Sequence, residues 1–252
     1  MITLLAFQLR RVGRNRQFLF FTVLLPALFT VFFTEVFGAQ ASTGSAYQEY
    51  ATGSMVAMMA YGGMGAALGA TIRISFDRAS GWLRQLRVTP VPASSVVAVD
   101  VLVGVLLALP GLVVVALVGR FVNGVQLALP AWLALVAVLW LGSGAFVALG
   151  LLIGHSLEEK AAGAAIGIVG TVLAALGGLW VPVELFPAGL RTLAHVLPSY
   201  WYAQLGRDVV ATGAPAELGT VLAVAAFAAA AAVLTAAVVR RRPSPAVAGR
   251  AG

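Results

Sequence analysis

Six predominantly apolar runs, each about as long as a bilayer is thick, constrain this chain more than any other feature. They fall at about 18–38, 51–72, 94–119, 131–154, 161–180 and 216–239. A hydrocarbon core of about 30 Å takes roughly 20 helical residues to cross, and backbone amides inside it must find partners within the protein. Each run is predicted as a spanning helix, and the fold class as an all-α polytopic membrane protein with six transmembrane helices. Composition decides how much else can exist: 10% of the 252 residues are charged, against about 25% in soluble domains. Residues 1–242 therefore read as one transmembrane domain. Residues 243–252, rich in Pro, Ala and Gly, read as a disordered tail.

The formal charge of +7 does not mark a nucleic-acid binder, because the basic residues cluster at the ends of apolar runs. Lys and Arg near span ends are retained in the cytoplasm. One side of a six-span arrangement collects Arg10, Arg11, Arg14, Arg16, Arg73, Arg78, Arg84, Arg87, Lys160, Arg240, Arg241, Arg242 and Arg250, and the other holds only Arg120, Arg191 and Arg207. Both termini are thus expected in the cytoplasm of a bacterial cell, the chain being a multi-pass protein of the inner membrane.

The first run follows a basic start but is too long for a signal-peptide core, so it reads as a retained anchor that Pro26 bends. Upstream, Ile2, Leu5, Leu9 and Val12 share one side of a helix while Thr3, Arg10, Arg14 and Gln17 share the other. That pattern predicts an amphipathic helix on the membrane surface, with Arg10, Arg11 and Arg14 at the headgroups. The second run holds few strongly inserting residues but four methionines and many small ones, so lipid is a poor neighbour for it. Gly65 and Gly69, with Gly62, Ala66 and Ala70 at similar spacing, suit close helix approach, as do Gly163, Gly167, Gly170, Ala174 and Gly178 in the fifth run.

Two segments are neither spans nor simple connectors. In Ile72 to Ser95, Phe76, Trp82, Leu83 and Leu86 can share one side of a short cytoplasmic helix, with Asp77, Arg78, Arg84 and Arg87 around it and Gly81 at its centre. Thr89-Pro90 ends it, because proline disfavours helix in the residue before it. An interfacial anchor and a docking surface for a soluble partner fit this composition equally. The stretch Val181 to Pro215 is too long and too apolar for a plain loop. Pro182, Pro187 and Pro198 divide it, and Tyr200, Trp201 and Tyr202 form an aromatic group suited to headgroups. It reads as a re-entrant external helical hairpin between spans five and six, with Glu184 placed to pair with Arg191.

With these segments in view, nearly the whole chain resembles a permease of the type-2 ABC exporter family, the group that includes drug-resistance, polysaccharide-export and lipid-export subunits. The resemblance rests on the basic N-terminal helix, the six spans, the segment DRASGWLRQLRVTPVP from Asp77 to Pro92, and the segment from Gly178 to Asp208. Asp77, Arg78, Gly81, Leu83, Leu86, Thr89 and Pro90 match in kind the family's first cytoplasmic loop. Val181, Pro182, Glu184, Pro187, Leu190, Pro198 and Tyr202 match its last external loop. Ala79 and Ser80 depart from it, since more strongly charged residues are common there. The resemblance implies that Phe76, Asp77, Arg78, Gly81, Trp82, Arg84, Thr89 and Pro90 belong to a coupling helix docked on a cytoplasmic ATPase. It also implies two ATPase copies, a second copy of this permease or a related one, and ATP with Mg on the partner alone.

The chain carries no chemistry of its own that would replace such a partner. A phosphate-binding loop needs a lysine after a glycine, and the single lysine, Lys160, follows Glu159. There is no cysteine, and no paired carboxylates or nucleophile within a span, so no catalytic or metal site is expected. His155 and His195 read as boundary residues. Asp100 lies near the cytoplasmic end of the third run, either as a partner for an arginine or as a carboxylate reaching the interface. The expected function is a non-enzymatic transport subunit moving a hydrophobic or amphipathic compound outward, with Phe29, Phe33, Met55, Met59 and Tyr61 as candidates for the cargo path. An ion-coupled secondary transporter is the alternative, but it calls for internal repeats and midplane ionisable residues. A membrane scaffold without transport is a third reading. Membrane lipid is the remaining partner expected, and nucleic acid is not one.

Overall fold

The computed structural model describes residues 14–38, 43–79 and 93–241, the side chains at 73, 77–79, 93–97, 159 and 241 excepted. Among them it contains helices and turns and no strand. Helix α1 covers Arg16–Gly38. It is followed by α2 (Gly44–Ala79), α3 (Ala93–Phe121), α4 (Leu129–Gly142), α5 (Gly144–Ser156) and α6 (Glu159–Leu176). A 3-10 turn at Val183–Leu185, α7 (Ala188–Val196), α8 (Pro198–Thr212) and α9 (Leu218–Arg241) complete the order. Five segments are long and apolar enough to cross a membrane: α1, most of α2, most of α3, α4 with α5, and α9. The apolar helix α6 is shorter, about 27 Å from its 18 residues at roughly 1.5 Å each.

Successive lengthwise helices alternate in direction. One end of the bundle carries Arg16, Glu158 and Arg240, and the opposite end carries Gly38, Gly44, Phe121, Gly177 and the α7–α8 hairpin. Helix α2 lies at the centre and packs against α1, α3, α4, α5, α6 and α8. Its composition explains why: Met55, Met58, Met59 and Met64 are all buried, flexible side chains filling gaps between helices that small residues let come close. Helix α9 is peripheral, packing on α5 and α8 and exposing Leu218, Leu222, Val233 and Leu234.

The bend expected at Pro26 takes the form of a widened π-type turn over Phe20–Leu24 just before it. The proline ring cannot donate to the Thr22 carbonyl and crowds it, and a wider turn relieves both problems. Two glycines meet that carbonyl. A Cβ on Gly111 of α3 would stand 2.6 Å from the Thr22 oxygen, and one on Gly62 of α2 would stand 3.3 Å away. Three helices therefore converge where one backbone is locally open. The sequence pattern named the right helix but only part of the contact. A Cβ on Gly69 would stand 3.0 Å from the Phe18 ring, whereas Gly65, Gly163 and Gly167 have open space beside them among the described residues.

The fourth apolar run, read as one helix, is broken at Ser143. Gly142, Ser143 and Gly144 give little side-chain support to the backbone, and the Ser143 hydroxyl donates to the Trp140 carbonyl at 2.6 Å, a back-bond that bends helices. The fifth run ends at Leu176 instead of near 180. Gly178 there adopts φ +76°, a left-handed conformation that glycine takes without strain. The Ser199 hydroxyl donates to the carbonyl of Leu173 at 2.7 Å, which also accepts from the Gly177 N–H at 3.0 Å.

Candidate functional site

The hairpin end of the bundle holds a partly enclosed space with charged side chains in its lining. Here the turn after α6 and the first turns of α2 face each other across a cavity of ≈ 390 Å³, lined by Glu49, Tyr50, Ser54, Met58, Trp180, Glu184 and Arg207, among others. A neighbouring cleft of ≈ 560 Å³ shares Glu49, Gly53 and Arg207 and extends to Gln126 and Val210. Arg207 thus stands between the two.

Its surroundings follow from α8. Pro198 starts that helix, with Leu197 held extended before it, as a pre-proline residue should be; Pro187 is itself the extended N-cap that precedes α7. The Arg207 guanidinium donates to the Gly178 carbonyl at 3.2 Å and lies 5.9 Å from the Tyr200 ring centroid, within cation–π range. Burial lowers its pKa, and the charges of Glu184 and Asp208 and the Tyr200 hydroxyl oppose that shift. Buried Asp208 accepts from the Gln204 amide at 2.8 Å and from the Glu217 backbone N–H at 3.2 Å. It thereby ties α8 to the start of α9, beyond the left-handed Gly213 that ends α8.

Replacing Arg207 by methionine keeps the stem and removes the charge-assisted bond to Gly178, a loss of about 1.5–3 kcal/mol. Thermal unfolding in lipid nanodiscs is expected to show that loss for Arg207→Met. Arg207→Lys is expected to recover only part of it, because an ammonium lacks the planar fork and ring stacking of a guanidinium.

Two sequence expectations about the hairpin are corrected. Arg191 does not pair with the Glu184 carboxylate; its guanidinium donates to the backbone carbonyls of Glu184 at 2.9 Å and Phe186 at 3.3 Å, and the Glu184 charge acts on Arg207. Tyr200, Trp201 and Tyr202 do not form one aromatic group, since consecutive helical residues point about 100° apart. Tyr200 packs edge-on to His195 and Trp201 at centroid distances of 4.6 and 5.3 Å, and the Trp201 indole donates to the His195 carbonyl at 2.7 Å. Tyr202 turns inward, fully buried. Its hydroxyl donates to the Leu139 carbonyl at 2.7 Å and its ring meets Phe146 edge-on at 5.1 Å.

The other predicted residues are dispersed. Met55 and Met59 are enclosed in the core. Tyr61 packs edge-on to Trp180 at 5.7 Å, just below the cavity. Phe29 and Phe33 pack on one another at 5.6 Å along α1. At the opposite end, Phe76 is exposed and, with Asn15, Phe18, Gly65 and Gly69, lines a cleft of ≈ 510 Å³ between α1 and α2. Arg14 is exposed beside it. Arg10 and Arg11, the side chains of Asp77 and Arg78, and Gly81, Trp82, Arg84, Thr89 and Pro90 lie outside the described residues. Asp100 is half-buried and engaged with a partner. His155 Nδ1 lies 2.8 Å from the Leu151 carbonyl, and no group of metal-binding side chains occurs among the described residues.

Glu49, Trp180 and Arg207 were missed as site residues in the sequence. The one available signal was Arg207 itself, an arginine standing against the strong bias of basic residues towards the other side.

Apolar helices of spanning length, packed about a methionine-rich central helix, define a helical membrane protein. The chain belongs to the ABC-2 type transporter family, whose profile matches residues 1–210. Over 210 residues it is 28% identical to "Putative transport permease YvfS" of Bacillus subtilis (strain 168), an alignment covering 82% of this chain and 84% of that protein. Permeases of this family are membrane transport components, not themselves catalytic, and normally work with an ATPase subunit.

Proposed function

We propose that the chain is the membrane-spanning subunit of an ATP-driven exporter, moving a hydrophobic or amphipathic compound outward on energy from a separate ATPase. The observation that carries this reading is the family match over residues 1–210, which includes both the Asp77 to Pro92 segment and most of the hairpin. In this reading α6 is the fifth of six spans, α7 and α8 are a re-entrant hairpin in the outer leaflet, and the cavity beside Trp180 opens outward. Both termini then lie in the cytoplasm, at the end of the bundle where Arg16 and Arg240 sit. Two permease chains and two ATPases form the working unit, with ATP and Mg held by the ATPases. An apolar or amphipathic cargo suits the spans, whose buried interior is built mainly from Ala, Leu, Val and Met residues.

The Asp77 to Pro90 helix is the contact that transmits ATPase closure, and the N-terminal helix with Arg10, Arg11 and Arg14 is the second. Helix α2 runs on to Ala79, with Phe76 exposed near its end. Reversing both charges, Asp77→Arg with Arg84→Glu, is expected to reduce co-purification of the partner ATPase at least about tenfold, since like charges set against a partner surface cost several kcal/mol. The amount of folded chain should stay unchanged. Full co-purification of the ATPase with the doubly reversed chain would contradict the docking role.

A further inference from the structure

We propose that the cleft between the start of α1 and the far end of α2 holds one acyl chain of an anionic phospholipid, with the lipid phosphate beside Arg14, Arg16 and the amides of Asn15 and Gln17. In the orientation given above, that lipid belongs to the cytoplasmic leaflet. No part of the site depends on the ATPase partner.

The dimensions of the cleft set the thickness of its occupant. Gly65, Gly69, Ile72 and Phe76 line it along α2, and positions 65 to 76 span about 17 Å at roughly 1.5 Å per residue. Spread over that length, a volume of ≈ 510 Å³ gives a mean cross-section of about 30 Å². A helix about 10 Å across needs about 80 Å², so a second copy of the chain cannot lay a helix in this slot. A single hydrocarbon chain fits it.

The floor and walls suit such a chain. A Cβ on Gly65 would meet nothing within 4 Å, and Phe18, Phe21, Ala70 and Ile72 supply an apolar lining. Phe21 is 61% exposed, so the slot opens sideways to the surrounding lipid. Left empty, it would forfeit the dispersion contacts of every group that lines it.

Polarity is confined to one end. Asn15 and Gln17 line the cleft where α1 begins, with exposed Arg14 and Arg16 next to them in the chain. The Asn15 side-chain oxygen already accepts from the Phe18 N–H at 3.1 Å, so the amide N–H donors are what Asn15 has left to offer. Position 73, an arginine, follows Gly69 by one turn on the same face of α2. No carboxylate lines the cleft, and Asp77 is the one acidic residue at this end of α2. A phosphate takes hydrogen bonds from guanidinium and amide donors alike. Each arginine at a membrane surface raises the affinity for anionic lipid about fivefold, whereas a zwitterionic lipid brings a cationic group among the same arginines.

The test is photolabelling of the full-length chain in nanodiscs with phosphatidylglycerol carrying a diazirine in its acyl chain, the labelled peptides being mapped by mass spectrometry. Phosphatidylcholine with the same diazirine chain is the control probe. Label is expected to concentrate at Phe18, Phe21 and positions 65–72, at least about fivefold more from phosphatidylglycerol than from phosphatidylcholine. Arg14→Gln with Arg16→Gln should bring that ratio below about two. Gly65→Leu, which fills the slot without a clash, should lower cleft labelling by both probes at least about threefold. Equal labelling by the two probes, label spread evenly over the outward faces of α1 and α9, or label undiminished by Gly65→Leu would overturn the site. So would a disulfide linking two chains that carry Gly65→Cys, since a second copy would then cover the cleft. Labelling is read without any ATPase, so failure of the lipid site leaves the permease reading standing, and failure of ATPase coupling leaves the lipid site standing.

Discussion

Gly111→Val is expected to leave little folded protein in the membrane. A Cβ at position 111 would stand 2.6 Å from the Thr22 carbonyl oxygen, an atom of the backbone that no rotamer change can move. The carbonyl is exposed to α3 because Pro26 has opened the turn around it, so α1 cannot retreat without losing its packing on α2 as well. Overpacking a core typically costs about 1–3 kcal/mol and more where the backbone must shift. We expect about 3 kcal/mol or more, a fall in Tm of roughly 10 °C by the usual scaling for chains of this size. Size-exclusion profiles of detergent-solubilised protein, followed by thermal unfolding of what remains, measure it. Gly65→Ala is the control: with open space beside it among the described residues and a gain of about 0.8–1 kcal/mol in helix propensity, it should be neutral or stabilising.

Tyr202 carries the second large effect. Its ring is completely buried, where α8 meets α4 and the first turn of α5, and glycines make room for it. A Cβ on Gly142 would meet the ring at 3.0 Å, and one on Gly63 would overlap the hydroxyl. Tyr202→Ala empties this space and should cost about 3–5 kcal/mol, as for other buried aromatic residues. Tyr202→Phe should cost only about 1 kcal/mol, because the Leu139 carbonyl keeps its bond from the Ser143 N–H at 3.0 Å. If the two variants unfold at the same temperature, the ring is not what locks the hairpin to the bundle.

That buried tyrosine also shows where sequence reading stops. Each apolar run could be placed because crossing or packing in a bilayer demands about 20 apolar residues whatever their neighbours, and every run is mostly helical in the structure. The prolines at 187 and 198 announced the starts of α7 and α8 by their fixed φ. The direction of a side chain on a helix depends on what the helix packs against, and the apolar environment on both sides of α8 hides that from composition. Hence Tyr202 was read with Tyr200 and Trp201, although it belongs to the core.

The break at Ser143 and the widened turn before Pro26 were invisible or only half visible for a related reason. Small and β-branched residues are compatible with straight helix, and the neighbour decides whether the backbone opens. The cavity was the least legible feature. Glu49, Trp180, Glu184 and Arg207 are scattered over more than half the chain, and only the folding back of the hairpin brings them together. The family resemblance, by contrast, rested on local segments and needed no knowledge of packing.

The central claim, that this chain couples its own movement to ATP hydrolysis on another subunit, is tested most directly by turnover in lipid vesicles. The ATPase that co-purifies with the full-length chain is assayed alone and in the reconstituted assembly. Turnover is expected to change when the chain is present, and this change to disappear with Asp77→Arg and Arg84→Glu. Turnover identical with and without the chain, or an ATPase whose coupling is unaffected by those reversals, would contradict it.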